Sequence, residues 1–242
     1  MKTFAYAVSV TATLLLFTSS DAHAASMESF EARIGLGTSA DSQGFAGFFE
    51  TGFVQGSPSH TDTISFDDGV VKVDFDVTVE GFEESGGPGG LRTTSAAVGV
   101  DGSGDTGSET TRIDAGEAIK VTFNDISFSI IGAPPAGMIV DPGSFEALIS
   151  SIRFAAFDNG TDTYSYSGVG AGSVVGDDTS TLSFVPNQTI ATGDMFTITG
   201  DSGEFRGLYI SMSGNYETVI PEPATLSLVA LSLVGIALKR RS

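Results

Sequence analysis

The sequence predicts an all-β protein, an antiparallel β-sandwich of jelly-roll type, and three observations carry that expectation. Residues 71–80 alternate apolar and polar without a fault, which is the period of a strand with one face buried. Many more short alternating segments follow, separated by some of the 31 glycines and by Asp and Asn clusters, the turn chemistry that short antiparallel strands need. Only residues 144–151 have a helical look; Asp141-Pro142-Gly143 introduces them, and they are too short to organise a fold. Short strands with glycine-rich turns favour two packed sheets.

The elements follow in chain order. Residues 63–66 form a first short strand, and in 71–80 Val71, Val73, Phe75, Val77 and Val79 face a core. Glu83 to Gly90 (EESGGPGG) reads as a flexible loop, because strand patterns resume directly after it at 96–100. In 118–124, Ile119, Val121 and Phe123 point inward while Lys120 and Thr122 point outward. Asn124-Asp125 then shifts the phase by one, so that Ile126, Phe128 and Ile130 continue the apolar face, which predicts a bulge or tight turn. Further strands are expected at 152–157, 163–167, 181–185, 195–199 and 208–216. No repeat of roughly 20–50 residues is evident, so one domain is expected.

Both termini stand apart from this pattern. Residues 1–24 have the order of a secretory signal: Lys2, an apolar stretch from Phe4 to Phe17, then Ala22-His23-Ala24 as a small-x-small site, with cleavage expected between Ala24 and Ala25. At the other end, Pro221-Glu222-Pro223 breaks any strand or helix arriving from upstream. The apolar run 224–238 follows, and as a helix it would rise about 22 Å, a marginal span of a hydrocarbon core about 30 Å thick. Lys239, Arg240 and Arg241 then mark a cytoplasmic end. The expected organisation is a signal peptide at 1–24, a β-sandwich at 25–218 and a tail segment with a single apolar helix at 219–242.

Composition narrows the function. The chain has 242 residues, 30 Asp+Glu and 11 Lys+Arg. Setting aside Asp21 and Glu222 leaves 28 acids in 25–220; setting aside Lys2, Lys239, Arg240 and Arg241 leaves 7 bases, a balance of −21. Such a surface repels nucleic acid and anionic lipid. Without cysteine the body has no disulfides, thiol nucleophile or thiolate metal site, and without Trp it lacks the most common sugar platform.

The order Pro-Glu-Pro, short apolar helix and terminal basic cluster resembles a PEP-CTERM sorting signal, the mark of exported proteins in Gram-negative bacteria that make extracellular polysaccharide. The resemblance covers about the last tenth of the chain and implies recognition by an exosortase, an integral-membrane transpeptidase-like enzyme. It implies that Pro221, Glu222 and Pro223 are recognition residues, that Lys239, Arg240 and Arg241 complete the signal, and that the helix holds the protein transiently in the inner membrane. The expected destination is the cell surface or a biofilm-type matrix.

Within the body, Val98 to Phe123 puts Asp101, Asp105, Glu109, Asp114 and Glu117 in a glycine-rich loop between strands. Asp101, Asp105, Asp114 and Glu117 are candidate calcium ligands, because Ca²⁺ takes hard oxygens on a flexible backbone; the rival reading is a solvated acidic loop with turn hydrogen bonds. Asp67-Asp68-Gly69 and Asp177-Asp178 read as turn chemistry. His60 is the single histidine beyond the leader and reads as a solvated loop residue, with no Gly-x-Ser-x-Gly elbow to partner it. Tyr164, Tyr166, Tyr209 and Tyr216 could contact sugar, although Tyr164 and Tyr166 share a strand face suited to cross-strand packing. The leading expectation is a non-catalytic structural or adhesive role in an extracellular polysaccharide matrix. A glycan-binding module and a hydrolase with paired carboxylates are the alternatives.

Overall fold

The structure, a computed structural model, describes residues 25–39, 47–102, 111–135, 137–156, 163–169, 172–175, 182–184 and 188–220. The signal segment through Ala24, the tail residues Pro221, Glu222, Pro223, Lys239, Arg240 and Arg241, and the loop residue Asp105 lie outside them. Ala25–Ile220 forms one compact unit. Its strands are β1 (Ala25–Gly35), β2 (Ser59–Asp67), β3 (Val71–Phe82), β4 (Pro88–Thr93), β5 (Val98–Asp101), β6 (Ala118–Ile130) and β7 (Ile139–Val140). They continue with β8 (Glu146–Ala156), β9 (Thr163–Gly168), β10 (Gly172–Val175), β11 (Leu182–Phe184), β12 (Gln188–Ile190), β13 (Met195–Ser202) and β14 (Phe205–Val219).

All the paired strands run antiparallel. The sheet path is β10-β9-β13-β6-β3-β4-β5-β14-β8-β11, with β2 beside β3 and β1 beside β14. This is one antiparallel sheet curled on itself, where two separate leaves were expected. β4 makes the connection: its Pro88 and Gly89 pair with β3, and its residues from Gly90 to Thr93 pair with β5. The corner needs glycine, because a Cβ on Gly89 would sit 2.5 Å from Val100 Cγ1. The stretch expected as a flexible loop is therefore a tight turn, with the Gly86 amide donating to the Glu83 carbonyl at 2.7 Å, followed by a strand.

Alternation sets the inner face. β3 alternates buried and half-buried over all twelve residues, and Val73, Phe75, Val77 and Val79 are at most 1% exposed. Across the curl, Phe154 of β8 meets Tyr164 of β9 with ring centroids 4.6 Å apart, and Phe205 of β14 lies within 5.6 Å of both. Phe75, Phe123 and Phe196 form a second ring series on β3, β6 and β13.

Bulges mark where the period slips. Asp76 pairs with Asp125 and Val77 with Phe123, leaving Asn124 as the extra residue; the phase shift at Asn124-Asp125 is thus a bulge within one continuous strand. β8 corrects the helical reading of 144–151. Ile149 pairs with Met212 and Ser151 with Ser211, so Ser150 is the inserted residue. Phe145, Leu148, Ile149 and Ile152 consequently fall at spacings that imitate a helix. No helix among the described residues is long and apolar enough to cross a membrane.

Candidate functional site

The acidic loop was the first candidate. Asp101 ends β5, and its Oδ2 accepts from Arg92 Nε at 2.8 Å and lies 2.7 Å from Arg92 Nη2. Asp114 and Glu117 come together in one turn, where the Asp114 amide donates to Glu117 Oε2 at 2.9 Å and the Glu117 amide donates to the Asp114 carbonyl at 3.0 Å. Gly116 sits between them at φ +90°, and Glu117 is only 3% exposed. The turn is clamped to β13, since Gly116 donates to the Gly200 carbonyl and Gly200 donates to the Glu117 carbonyl. Among the described residues no three His, Asp or Glu side chains gather as a metal site would require.

The aromatic candidates separate cleanly. Tyr164 and Tyr166 lie on the inner face, 1% and 3% exposed, and burial pushes the Tyr164 phenol up to about 12 and that of Tyr166 further still. Tyr216 is also buried and donates to Asp68 Oδ2 at 2.7 Å. Asp68 closes the β2–β3 turn by accepting from the Val70 and Val71 amides at 2.9 and 2.7 Å, which is the turn chemistry expected of Asp67-Asp68-Gly69. Asp177-Asp178 lies outside the described residues. His60 departs from expectation: it belongs to β2 and is half-buried among Phe48, Phe49 and Phe53, with ring centroids 5.2–5.4 Å away.

Tyr209 alone of the four faces outward, and its neighbours make the more promising site. On the outer side of β1, β14 and β8, Arg33 pairs in register with Ser211, Ser211 with Ser151, and Tyr209 with Arg153. Arg33 Cζ stands 4.2 Å from the Tyr209 ring centroid, within cation–π range. Arg153 Cζ stands 5.6 Å from it, and Arg153 Nη1 donates to the Tyr209 hydroxyl at 2.7 Å. A hollow of about 300 Å³ opens beside this stack, lined by Glu31, Arg33, Ser150, Ser151, Ser211 and Ser213. The bulge at Ser150 is what dents the sheet there.

The stack combines a ring held rigid, two planar guanidinium groups and a row of short hydroxyls. Guanidinium forks recognise carboxylates and vicinal oxygens, the ring offers apolar contact, and serines exchange hydrogen bonds with hydroxyls. Sequence reasoning named Tyr209 but missed Arg33 and Arg153. The run Phe30, Ala32, Ile34, Leu36 alternates in the sequence and would have aimed Arg33 outward.

A second hollow, on the outer side of β2, β3 and β6, is lined by Thr63, Ser65, Lys72, Asp74, Asp76, Asp125 and Ser127. Burial raises the Asp74 carboxyl, but hydrogen bonds from Lys72 and Ser65 outweigh it and hold the group below its ordinary value.

In comparison with known proteins, residues 219–241 match the family described as the PEP-CTERM protein-sorting motif. No curated protein matches the chain.

Proposed function

We propose, from the sorting motif at residues 219–241, that the body is a non-catalytic adhesive or structural component of an extracellular polysaccharide matrix. The motif indicates an exported protein sorted by an exosortase system. The finer reading is that the leader is cleaved at Ala24-Ala25, that the apolar run 224–238 holds the chain transiently in the inner membrane, and that the processed body reaches the cell surface. The curled sheet acts as a scaffold of jelly-roll type, supported by the ring contacts between Phe154, Tyr164 and Phe205 across the curl.

The observation that carries the adhesive reading is the Arg33–Tyr209–Arg153 stack beside its serine-lined hollow. It offers sugar hydroxyls and carboxylates a rigid partner on an otherwise acidic body, and beyond the Debye length of about 8 Å the surrounding charge is screened. This reading does not draw on the calcium expected at Asp101, Asp105, Asp114 and Glu117; Asp101 accepts from Arg92, and Glu117 accepts from the Asp114 amide. The sorting arm is tested by replacing Glu222 with Ala and deleting residues 239–241. Such a variant is expected to stay in the inner membrane at unprocessed mass; arrival at the surface at the normal processed mass would contradict the reading.

A further inference from the structure

Among the described residues seven large apolar side chains are exposed, and five of them, Met27, Ile130, Ile131, Ile139 and Ile220, belong to strand ends at one pole of the body. The register puts them there. Met27 pairs with Glu217 and Ile139 with Val219, so both flank the end of β14, while Ile130 pairs with Val71 where β3 begins. The two strand ends are joined by the hydrogen bond from Tyr216 to Asp68, in the turn just before Val71, and by the ring series Phe30–Phe128–Phe145–Tyr216. Scattered exposed apolar residues need no explanation, but a gathering at one end marks a contact surface.

We infer that this pole rests on the membrane interface while the tail is inserted, with Met27, Ile139 and Ile220 dipping among the lipid headgroups. The inference rests on the proposed insertion of the run 224–238. Its basis is covalent reach: from Ile220 to Ala224 are four backbone steps, at most about 14 Å, and the headgroup layer on one side occupies roughly half of that. The run is also short by about 8 Å for a full span. A short span draws its flanks inward, through snorkelling at the basic end and through the tether at the other. The pole has the apolar side chains to meet that pull. The carboxylates of Asp68, Asp141 and Glu217 at the same end suit a zwitterionic rather than an anionic surface.

The absence of tryptophan makes the test clean. Single reporters Ile139→Trp, Met27→Trp, Val54→Trp and Leu231→Trp are placed in the full chain and reconstituted into phosphatidylcholine vesicles brominated either near the top of the acyl chains, for the body reporters, or near the chain ends, for Leu231→Trp. Val54 is the control: it is 70% exposed but lies by the Gly56–Leu91 contact, near the far end of β3. The expected result is loss of emission at Leu231→Trp, Ile139→Trp and Met27→Trp, with Val54→Trp unchanged. Quenching of Leu231→Trp alone would overturn the inference and leave tail insertion standing. Equal quenching of Val54→Trp would overturn it by showing no preferred pole. An unquenched Leu231→Trp would refute the insertion beneath it and the inference together.

Discussion

The outer surfaces of β2–β3–β6 and of β1–β14–β8 are built on the same alternation, yet they use their cations differently. On the first, Lys72 lies 2.7 Å from the Asp74 carboxylate and Lys120 pairs with Glu80 across to β3. Hydroxyls there serve each other and the strands: Thr61 bonds Thr78 at 2.7 Å, and Asn124 donates to Thr78 at 2.8 Å. On the second surface, Arg33 and Arg153 are set against the Tyr209 ring, and the serines line an open hollow. Cations paired with carboxylates of neighbouring strands stabilise a surface; guanidinium groups set against an outward ring beside a hollow hold planar donors in a fixed orientation there. An inner face that makes a core is therefore a poor guide to function, and the departures lie outside it.

The largest expected effect tests whether the alternation marks a buried face at all. Val73→Asp or Phe75→Asp should destabilise by about 3–5 kcal/mol, because each buries an unpaired charge on a fully enclosed side chain. Lys72→Asp and Thr78→Asp on the outer side should each cost about 1 kcal/mol or less. Equal losses in chemical denaturation would break the assignment of faces.

Comparable in size is the effect at the joint between the two halves of the curl. Phe154→Ala should cost about 3–5 kcal/mol, since it empties the contact with Tyr164 and Phe205. Tyr209→Ala, a few residues away on the outer side, should cost about 1 kcal/mol. A reversed order in thermal melts would show that the curl is not held by these rings.

The Glu117 turn follows. Glu117→Ala removes a nearly buried carboxylate that accepts the Asp114 amide, and should cost about 1.5–3 kcal/mol. The loss should be the same with calcium, with magnesium and with sodium chloride at matched ionic strength. Stabilisation specific to calcium that vanishes in Asp114→Asn would support a metal role for the loop.

The smallest effect concerns acid. Burial raises the Asp68 carboxyl, but the Val71 amide, the Tyr216 hydroxyl and the Val70 amide outweigh it and hold the group below its ordinary value. A depressed carboxyl stabilises the fold above the unfolded value of about 3.9, and that contribution is lost as pH falls through the folded value. Tyr216→Phe should therefore lower the melting temperature at neutral pH, and the gap from wild type should narrow below about pH 4. A gap that stays constant with pH would mean that the hydroxyl acts by packing alone.

β3 and β6 could be read because one strand face is apolar throughout, and the bulge at Asn124 announced itself as a slip of one residue. β8 was misread because Ser150, an inserted residue, turned a period of two into spacings of three and four. β1 carries a readable alternation from Phe30, but Ser29 interrupts the apolar alternation ahead of it. The single curled sheet depends on Gly89 and Gly90 turning a corner, and a glycine-rich run looks the same whether it bends a strand or frees a loop. Tyr209, Arg33 and Arg153 come from strands far apart in the chain, so their stack exists only through β1–β14–β8 register. The acidic residues were visible as a cluster, yet clustering in sequence did not reveal that Asp101 and Glu117 face different partners.

The most direct measurement is cosedimentation of the purified body, residues 25–220, with extracellular polysaccharide from a matrix-forming host. Wild type is compared with Tyr209→Ala, Arg153→Ala, and an Asp76→Ala/Asp125→Ala double variant, each checked to be fully folded at the temperature of the binding assay. Binding that falls at least about tenfold, or 1.4 kcal/mol, in the Tyr209 and Arg153 variants while the aspartate variant binds as wild type is the result expected. Equal binding by all of them, or loss confined to the aspartate variant, would contradict the assignment of adhesion to the β1–β14–β8 surface.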